Sequence, residues 1–352
     1  MQKNPYLALL ILWPLALISL SSSNPCDPSN QRDPRSLRSD QITVLINGYS
    51  ESRIPLLRSL AATYTSAPQV SSVLVLWGNP STPAQTLARL AHNLSLSSFG
   101  PAPISLVRQR SNSLNDRFLP RFSIGTRAVL ICDDDVEVDA KSFEFAFKVW
   151  RQNPDRLVGL FVRSHDMDLG AKQWIYTVHG DKYSIVLTKF MVLKSEYLWK
   201  YSCGGGAQMS EVRRTVDRMM NCEDILMNFV VADEVKAGPI LVGAERVRDW
   251  GDARNDGDGG MGLKDEEGSR VREVGLSSRR TEHRKRRGDC IREFHKVLGR
   301  MPLRYNYGKV VNSVGEQGLC LKGGKLVFCD QVPMIALALL VNFSGSVIRK
   351  CF

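Results

Sequence analysis

Strand-like runs alternate with helix-spaced segments over residues 42–151, and no other feature constrains the fold as much. ITVLIN (42–47) is apolar and β-branched and stops at Gly48, the pattern of a buried strand. Residues 53–65 place Ile54, Leu56, Leu57, Leu60 and Ala61 at helical spacing. VSSVLVLWG (70–78), ISLVRQ (104–109) and AVLIC (128–132) read as three more strands. Helices are predicted over 82–93, with Leu87, Leu90 and Ala91 on one side, and over 140–151. Such alternation predicts an α/β class, with a mostly parallel sheet flanked by helices. In open sheets of this kind, ligands bind beyond the carboxyl ends of the strands.

Asp133, Asp134 and Asp135 follow directly on AVLIC. Like charges this close repel and raise one another's pKa unless a cation sits among them. Hard oxygen ligands at a strand end point to a divalent metal carrying a diphosphate. The alternative is a solvated acidic turn, because Asp is a common turn former. No GxGxxG follows the first strand and no GxxxxGK[ST] occurs, so phosphates would be held by metal and side chains rather than by a glycine-rich helix start.

The second half is less regular. Residues 179–201 carry a strand pair and then a short helix, and 220–235 place Cys222, Glu223 and Asp224 at the start of an apolar helix. Residues 251–269 are rich in Gly and Asp and read as a flexible surface loop. The 352 residues carry a formal net charge of +11, and 43% are apolar, enough for a sizeable core. The excess charge gathers in Arg279, Arg280, Arg284, Lys285, Arg286 and Arg287. No aromatic interleaves that run, so a nucleic-acid partner is not expected. The run reads as a solvated basic loop or as a contact for an anionic ligand or lipid headgroup. His165 and His179 read as structural.

The N-terminus reads as an address. Lys3 precedes an apolar stretch from Tyr6 to Leu20 and then SSSNPC, the pattern of a signal peptide or a short signal anchor over residues 1–22. A stem follows over 23–40. The eight cysteines and the sequons at Asn93 and Asn342 suit a secretory lumen, where disulfides persist. No CxxC pair supports zinc, and Cys132 reads as a buried free thiol. A twelve-residue apolar run, VPMIALALLVNF, follows Asp330 and is too short to span a bilayer comfortably. The tail over 331–352 has no assigned role.

AVLICDDDVEV, FAFKVWRQNPDRLVGLFVRSH, GDKYSIVL, NCEDILMNF and CIREFHKVLGRMPLRYN occur in this order. Together they resemble the exostosin-like glycosyltransferase domain, glycosyltransferase family 64, over about residues 41–330. GLSSRRTEHRKRRGDCIREF and VVNSVGEQGLC are most similar to the plant branch that mannosylates glycosyl inositol phosphorylceramides in the Golgi.

The resemblance implies a GT-A type fold and a retaining, Mn2+-dependent glycosyltransferase. Asp135 would ligate the metal, and Asp133 and Asp134 would hold the ribose and donor sugar. Asn79, Asn112 and Arg117 would approach the nucleotide and sugar. Asp224 would be the carboxylate nearest the reacting sugar, Glu223 standing where the family usually has Asp. Arg280 would lie near the diphosphate. Arg53 is left between a nucleotide contact and an exposed helix residue. A Cys222–Cys290 disulfide would tie Asp224 to the Arg280 segment. The expected activity is mannose transfer from GDP-mannose to a glycolipid acceptor at the lumenal side of the Golgi membrane. The alternatives are N-acetylhexosamine transfer from a UDP-sugar, or a lumenal carbohydrate-binding protein without turnover. Homo-oligomer assembly is left open.

Overall fold

The structure, a computed structural model, describes residues 24–98, 100–252, 280–312 and 319–328. Two compact units divide the chain, residues 1–310 and 311–352. The first unit opens with β1 (Arg38–Gly48), α1 (Ile54–Thr65), β2 (Val70–Trp77), α2 (Ala84–Leu96), β3 (Ile104–Arg108) and β4 (Thr126–Asp133). It continues with β5 (Val136–Val138), α3 (Ala140–Gln152), β6 (Val158–Gly159), β7 (Val162–Asp168), β8 (Gln173–Thr177), β9 (Ile185–Val186) and β10 (Phe190–Lys194). Next come α4 (Glu196–Ser202), α5 (Gly206–Met219), α6 (Glu223–Val235), β11 (Ile240–Val242), β12 (Val247–Asp249), α7 (Arg280–Leu298) and β13 (Lys309–Val310). In the second unit, β14 (Leu319–Lys322) and β15 (Lys325–Phe328) form an antiparallel hairpin.

The main sheet has eight strands in the order β13-β11-β6-β10-β4-β1-β2-β3. β10 runs antiparallel to both neighbours, and the other pairings are parallel. This is the mostly parallel, helix-flanked α/β sheet expected for a GT-A type fold. Both faces of the central strands are buried, which is why their sequences are nearly continuous apolar runs. Val44, Ile46, Leu130 and Cys132 pack on one face with Leu57, Leu87, Phe143 and Phe147 of α1–α3. Leu45, Val129 and Ile131 pack on the other with Tyr197, Val212, Phe229 and Phe294 of α4–α7. Cys132 is a buried free thiol, as expected.

Three expectations change. Residues 179–201 do contain two strands, but they do not pair with each other. β9 pairs with β7 in a small three-stranded sheet, whereas β10 inserts between β4 and β6. The short link between them carries Thr188 and Lys189 to the end of β4. The basic run is not a loop across its length: residues 280–287 are the first turns of α7, and Arg287 is buried. The segment read as a stem is folded from residue 24 onward. Short 3-10 turns at Pro28–Asn30 and Pro34–Ser36 are capped by Asp27 and Asp33. Arg32 Nε donates to the Phe122 carbonyl at 2.8 Å, and Cys26 is disulfide-bonded to Cys203.

Among the described residues, no helix is long and apolar enough to cross a membrane. The targeting segment at 1–22, most of the loop at 251–269 and the apolar run after Asp330 lie outside the described residues.

Candidate active site

β1 and β4 are parallel neighbours in a register that sets Asn47 beside Asp133. The loop after β1 and the aspartates after β4 therefore meet at the carboxyl ends of these parallel strands. Asp134 N donates to the Asn47 carbonyl at 3.2 Å, and Tyr49 N donates to Asp134 Oδ2 at 3.4 Å. Arg53, at the start of α1, reaches the same place. Its Nη1 lies 3.0 Å from Asp134 Oδ1 and 2.9 Å from Asp135 Oδ2. It is thus not an exposed helix residue: it is a cation that ties two of the three aspartates.

Asp133 takes a different partner. Arg117 Nη1 lies 3.3 Å from Asp133 Oδ1 and 3.1 Å from Glu223 Oε1, and donates to Thr188 Oγ1 at 2.8 Å. Thr188 in turn donates to Glu223 Oε1 at 3.1 Å. A single guanidinium therefore joins the end of β4 to the start of α6. Lys189, next to Thr188, forms an ion pair with Asp249 at the end of β12, and Trp250 N donates to the Asp135 carbonyl at 2.8 Å.

Burial pushes the carboxyls of Asp133 and Asp135 above their ordinary range, against the pull of Arg117 on the first and Arg53 on the second. Asp134 is pushed up to about 6, again chiefly by burial. This concentration of buried, mutually repelling carboxylates is what a bound cation relieves. Asp135 Oδ1 is buried and has no hydrogen-bond partner, which suits a hard cation at this residue. Among the described residues, no group of three or more His, Cys, Asp or Glu side chains is placed to enclose a metal. A metal here would need oxygens beyond the described His, Cys, Asp and Glu side chains to complete its shell.

The loop between α5 and α6 sets the second half of the site. Met220 and Cys222 both adopt left-handed backbone, φ 47° and 79°, a conformation that non-glycine residues rarely hold unless their surroundings impose it. The Cys222–Cys290 disulfide forms and binds this turn to α7. Glu223 and Asp224 then occupy the first turn of α6 and are buried, where the helix dipole favours negative charge. Asp224 Oδ1 accepts from Ile225 N at 2.8 Å, and Arg287 Nη2 donates to Asp224 Oδ2 at 2.5 Å. Arg287 Nη1 also donates to Asn221 Oδ1 at 3.0 Å, and its guanidinium lies 4.5 Å over the Tyr176 ring. Burial alone would depress the Arg287 pKa, but Asp224, together with Tyr176 and Glu223, more than offsets it and holds the pKa well above the ordinary value. Burial pushes Glu223 above the usual carboxylate range, with Arg117 opposing.

The structure therefore brings together Asp133, Asp134, Asp135, Arg117, Glu223 and Asp224. Asn79 follows β2 at the same carboxyl end of the sheet, where its Oδ1 accepts from Ser81 N at 2.9 Å. Asn112 is exposed before the 3-10 turn at Leu114–Phe118. Arg280 is the first residue of α7, and its side chain lies outside the described part. Arg287, two helical turns further on, is the arginine that meets Asp224. Its sequence signal is the three-residue step to Cys290, which puts both on one face of α7. His165 and His179 are structural in their contacts: His165 is buried with Nδ1 2.8 Å from Ser184 Oγ, and His179 pairs with Asp166.

The chain is similar to known proteins over most of its length. The Glycosyl transferase family 64 domain matches residues 42–315. The chain is 69% identical to Glycosyltransferase family protein 64 C3 of Arabidopsis thaliana, over 88% of this chain and 91% of that protein. It is 29% identical to human Exostosin-like 2, over 76% of each. It is also 29% identical to Glycosylinositol phosphorylceramide mannosyl transferase 1 of Arabidopsis thaliana, over 77% of this chain and 76% of that protein. The aspartates that end β4 and the buried Asp224–Arg287 pair thus sit in a chain that belongs to glycosyl transferase family 64 and is a glycosyltransferase.

Proposed function

We propose that this glycosyltransferase moves mannose from GDP-mannose to a glycosyl inositol phosphorylceramide in the Golgi lumen, with Mn2+ and with retention at the anomeric carbon. The observation that carries the reading is that Arg117 joins Asp133, two residues before Asp135, to Glu223, whose neighbour Asp224 is paired with the buried Arg287. The likeness to a plant protein named as a glycosylinositol phosphorylceramide mannosyl transferase supports the choice of transferred sugar and acceptor.

Asp135 would hold the metal, with Asp133 and Asp134 beside it facing ribose and sugar, and Asn79, Asn112 and Arg117 on the nucleotide side. When bound, the metal supplies positive charge that neutralises the departing diphosphate. The protein's own groups do the rest. In the transition state the bond from the anomeric carbon to the phosphate oxygen lengthens, so positive charge grows on carbon and negative charge on phosphate. Asp224, buried and fixed by two hydrogen bonds, stabilises the first. Arg287, paired with Asp224, would stabilise the second. Charges preorganised in a dry site act strongly and need no rearrangement during the reaction. The acceptor hydroxyl attacks the same face, its oxygen bonds to the anomeric carbon, and its proton passes to the leaving phosphate oxygen.

The test is a turnover assay of the purified lumenal chain with Mn2+, GDP-mannose and a glycosyl inositol phosphorylceramide acceptor. Mannosylated product with retained configuration supports the reading. Product only with a UDP-N-acetylhexosamine would replace the donor, and donor-independent carbohydrate binding alone would remove the reaction.

A further inference from the structure

Near the Asp224–Arg287 pair lie two further polar groups that the reaction does not use, Arg163 and His283. β7 and β8 pair so that His165 faces Tyr176 and Met167 faces Trp174. Side chains alternate along a strand and directly paired residues share a face. Arg163, two residues before His165, therefore projects from the face that carries Tyr176 and Trp174. Helix α7 lies along that face. The His295 ring is 5.9 Å from that of Trp174, Arg292 Nη1 donates to the Trp174 carbonyl at 2.9 Å, and Arg287 lies over Tyr176. Reading α7 backwards thus moves from Trp174 to Tyr176, and one further turn brings His283 to the Arg163 end.

These groups are left with hydrogen-bonding capacity. Among the described residues, the Arg163 guanidinium makes one hydrogen bond, from Nη1 to the neighbouring Val162 carbonyl at 2.7 Å, and no carboxylate pairs with it. The His283 ring, half-buried on the same α7 face as Arg287, has no hydrogen-bond partner among them. Arg287 is 6% exposed and its Nε is buried without a partner. Burial pushes the His283 pKa down to about 4, and the positive charges of Arg287, Arg286 and Arg163 push the same way, with Asp224 alone opposing. The surroundings thus carry an excess of positive charge. Arg284 and Lys285 point to solvent and Arg286 pairs with Glu282, so the exposed part of the basic run does not form this cluster.

We propose that Arg163 and His283 form an anion subsite that takes the charged group of the acceptor, a phosphodiester or a uronic-acid carboxylate, as the acceptor hydroxyl approaches Asp224. The proposal rests on the reading that Asp224 and Arg287 mark the reacting centre. Arg163 supplies a planar pair of donors suited to either oxyanion. His283 adds a neutral N–H donor that becomes cationic if the bound anion raises its pKa. The subsite would select charged acceptors over neutral ones by leaving Arg163 unpaired when a neutral acceptor enters.

The test is calorimetric titration of the chain preloaded with Mn2+ and either GDP or UDP. Three probes are used: glycerophosphoinositol, methyl glucuronide and myo-inositol. The wild-type chain is expected to bind at least one anionic probe saturably and not to bind myo-inositol, and the probe that binds identifies the anion. Arg163→Gln and His283→Gln should each weaken that probe by about tenfold or more, the range for hydrogen bonds to a charged group, with nucleotide affinity within about twofold. Arg163→Lys should restore part of the loss. Thermal melts of each variant separate misfolding from lost binding. Wild-type chain that binds neither anionic probe, variants that bind as wild type, or variants that lose nucleotide in step with the probe would each overturn the subsite. Probe binding without turnover of GDP-mannose would count against the donor assignment alone.

Discussion

Arg287 Nη2 and Asp224 Oδ2 stand 2.5 Å apart in a pair whose side chains are only 6% and 4% exposed. Each residue sits on a helix that the Cys222–Cys290 disulfide binds to the other. Removing one partner of such a pair leaves a buried charge uncompensated, at a cost of about 3–5 kcal/mol. Arg287→Met should therefore lower stability by about that amount and reduce turnover by at least about a hundredfold. The double variant Asp224→Asn with Arg287→Met should recover much of the stability but none of the turnover. Urea denaturation and donor turnover on the same preparations measure both, and a double variant with wild-type activity would remove the pair from the chemistry.

Arg53 holds Asp134 and Asp135 together in the ligand-free chain. Arg53→Gln should lower the melting temperature without metal, because the aspartates lose their counter-charge. Added Mn2+ should raise the melting temperature by more in the variant than in the wild type, since one cation substitutes for the other. Thermal shift against Mn2+ concentration reads this directly, and equal shifts in the two proteins would contradict it.

His165 is 3% exposed, and burial pushes its pKa down to about 4. In the unfolded chain a histidine protonates near 6.5. The unfolded state therefore binds the extra proton first as pH falls, and the His165 contribution, complete above about 6.5, is lost toward pH 4. The loss is of order 3 kcal/mol at most. Asp134, raised to about 6, acts with opposite sign: its contribution is greatest below about pH 4 and is lost as pH rises through about 6. His165→Gln should flatten the acid-side fall in stability, and Asp134→Asn should steepen it. Denaturation at several pH values between about 4 and 7 checks both slopes.

The Cys26–Cys203 bridge spans 177 residues and fastens the segment before β1 to the end of α4. Cys26→Ser should cost about 2–5 kcal/mol while leaving donor turnover intact, since neither cysteine touches the site. Peptide mapping without reduction should show Cys26–Cys203 beside Cys222–Cys290, and a different pairing would contradict the placement of that segment.

The strands of the main sheet were legible because both faces of β1, β2 and β4 are buried, which leaves unbroken apolar runs. β9 and β10 were harder, because two strands in immediate succession look like a hairpin and only tertiary pairing sends them to different sheets. Asp133 to Asp135, Glu223 and Asp224 were legible from their positions at the ends of apolar elements. Arg287 was not, because a run of six cations does not show which one is buried; its three-residue step to Cys290 was the available signal. Arg53 was hidden for another reason. Its role depends on β1 and β4 being neighbours in register, which the local sequence around α1 does not contain.

Mn2+-dependent turnover of the nucleotide-sugar donor by Asp135→Asn, beside the wild-type chain, tests the role of the aspartates most directly. The variant should fold with a near-normal melting temperature in the absence of metal, lose the Mn2+-induced thermal shift, and turn over donor at least about a hundredfold more slowly. A folded Asp135→Asn chain that keeps wild-type, metal-dependent turnover would contradict the assignment of the metal and donor site to the end of β4.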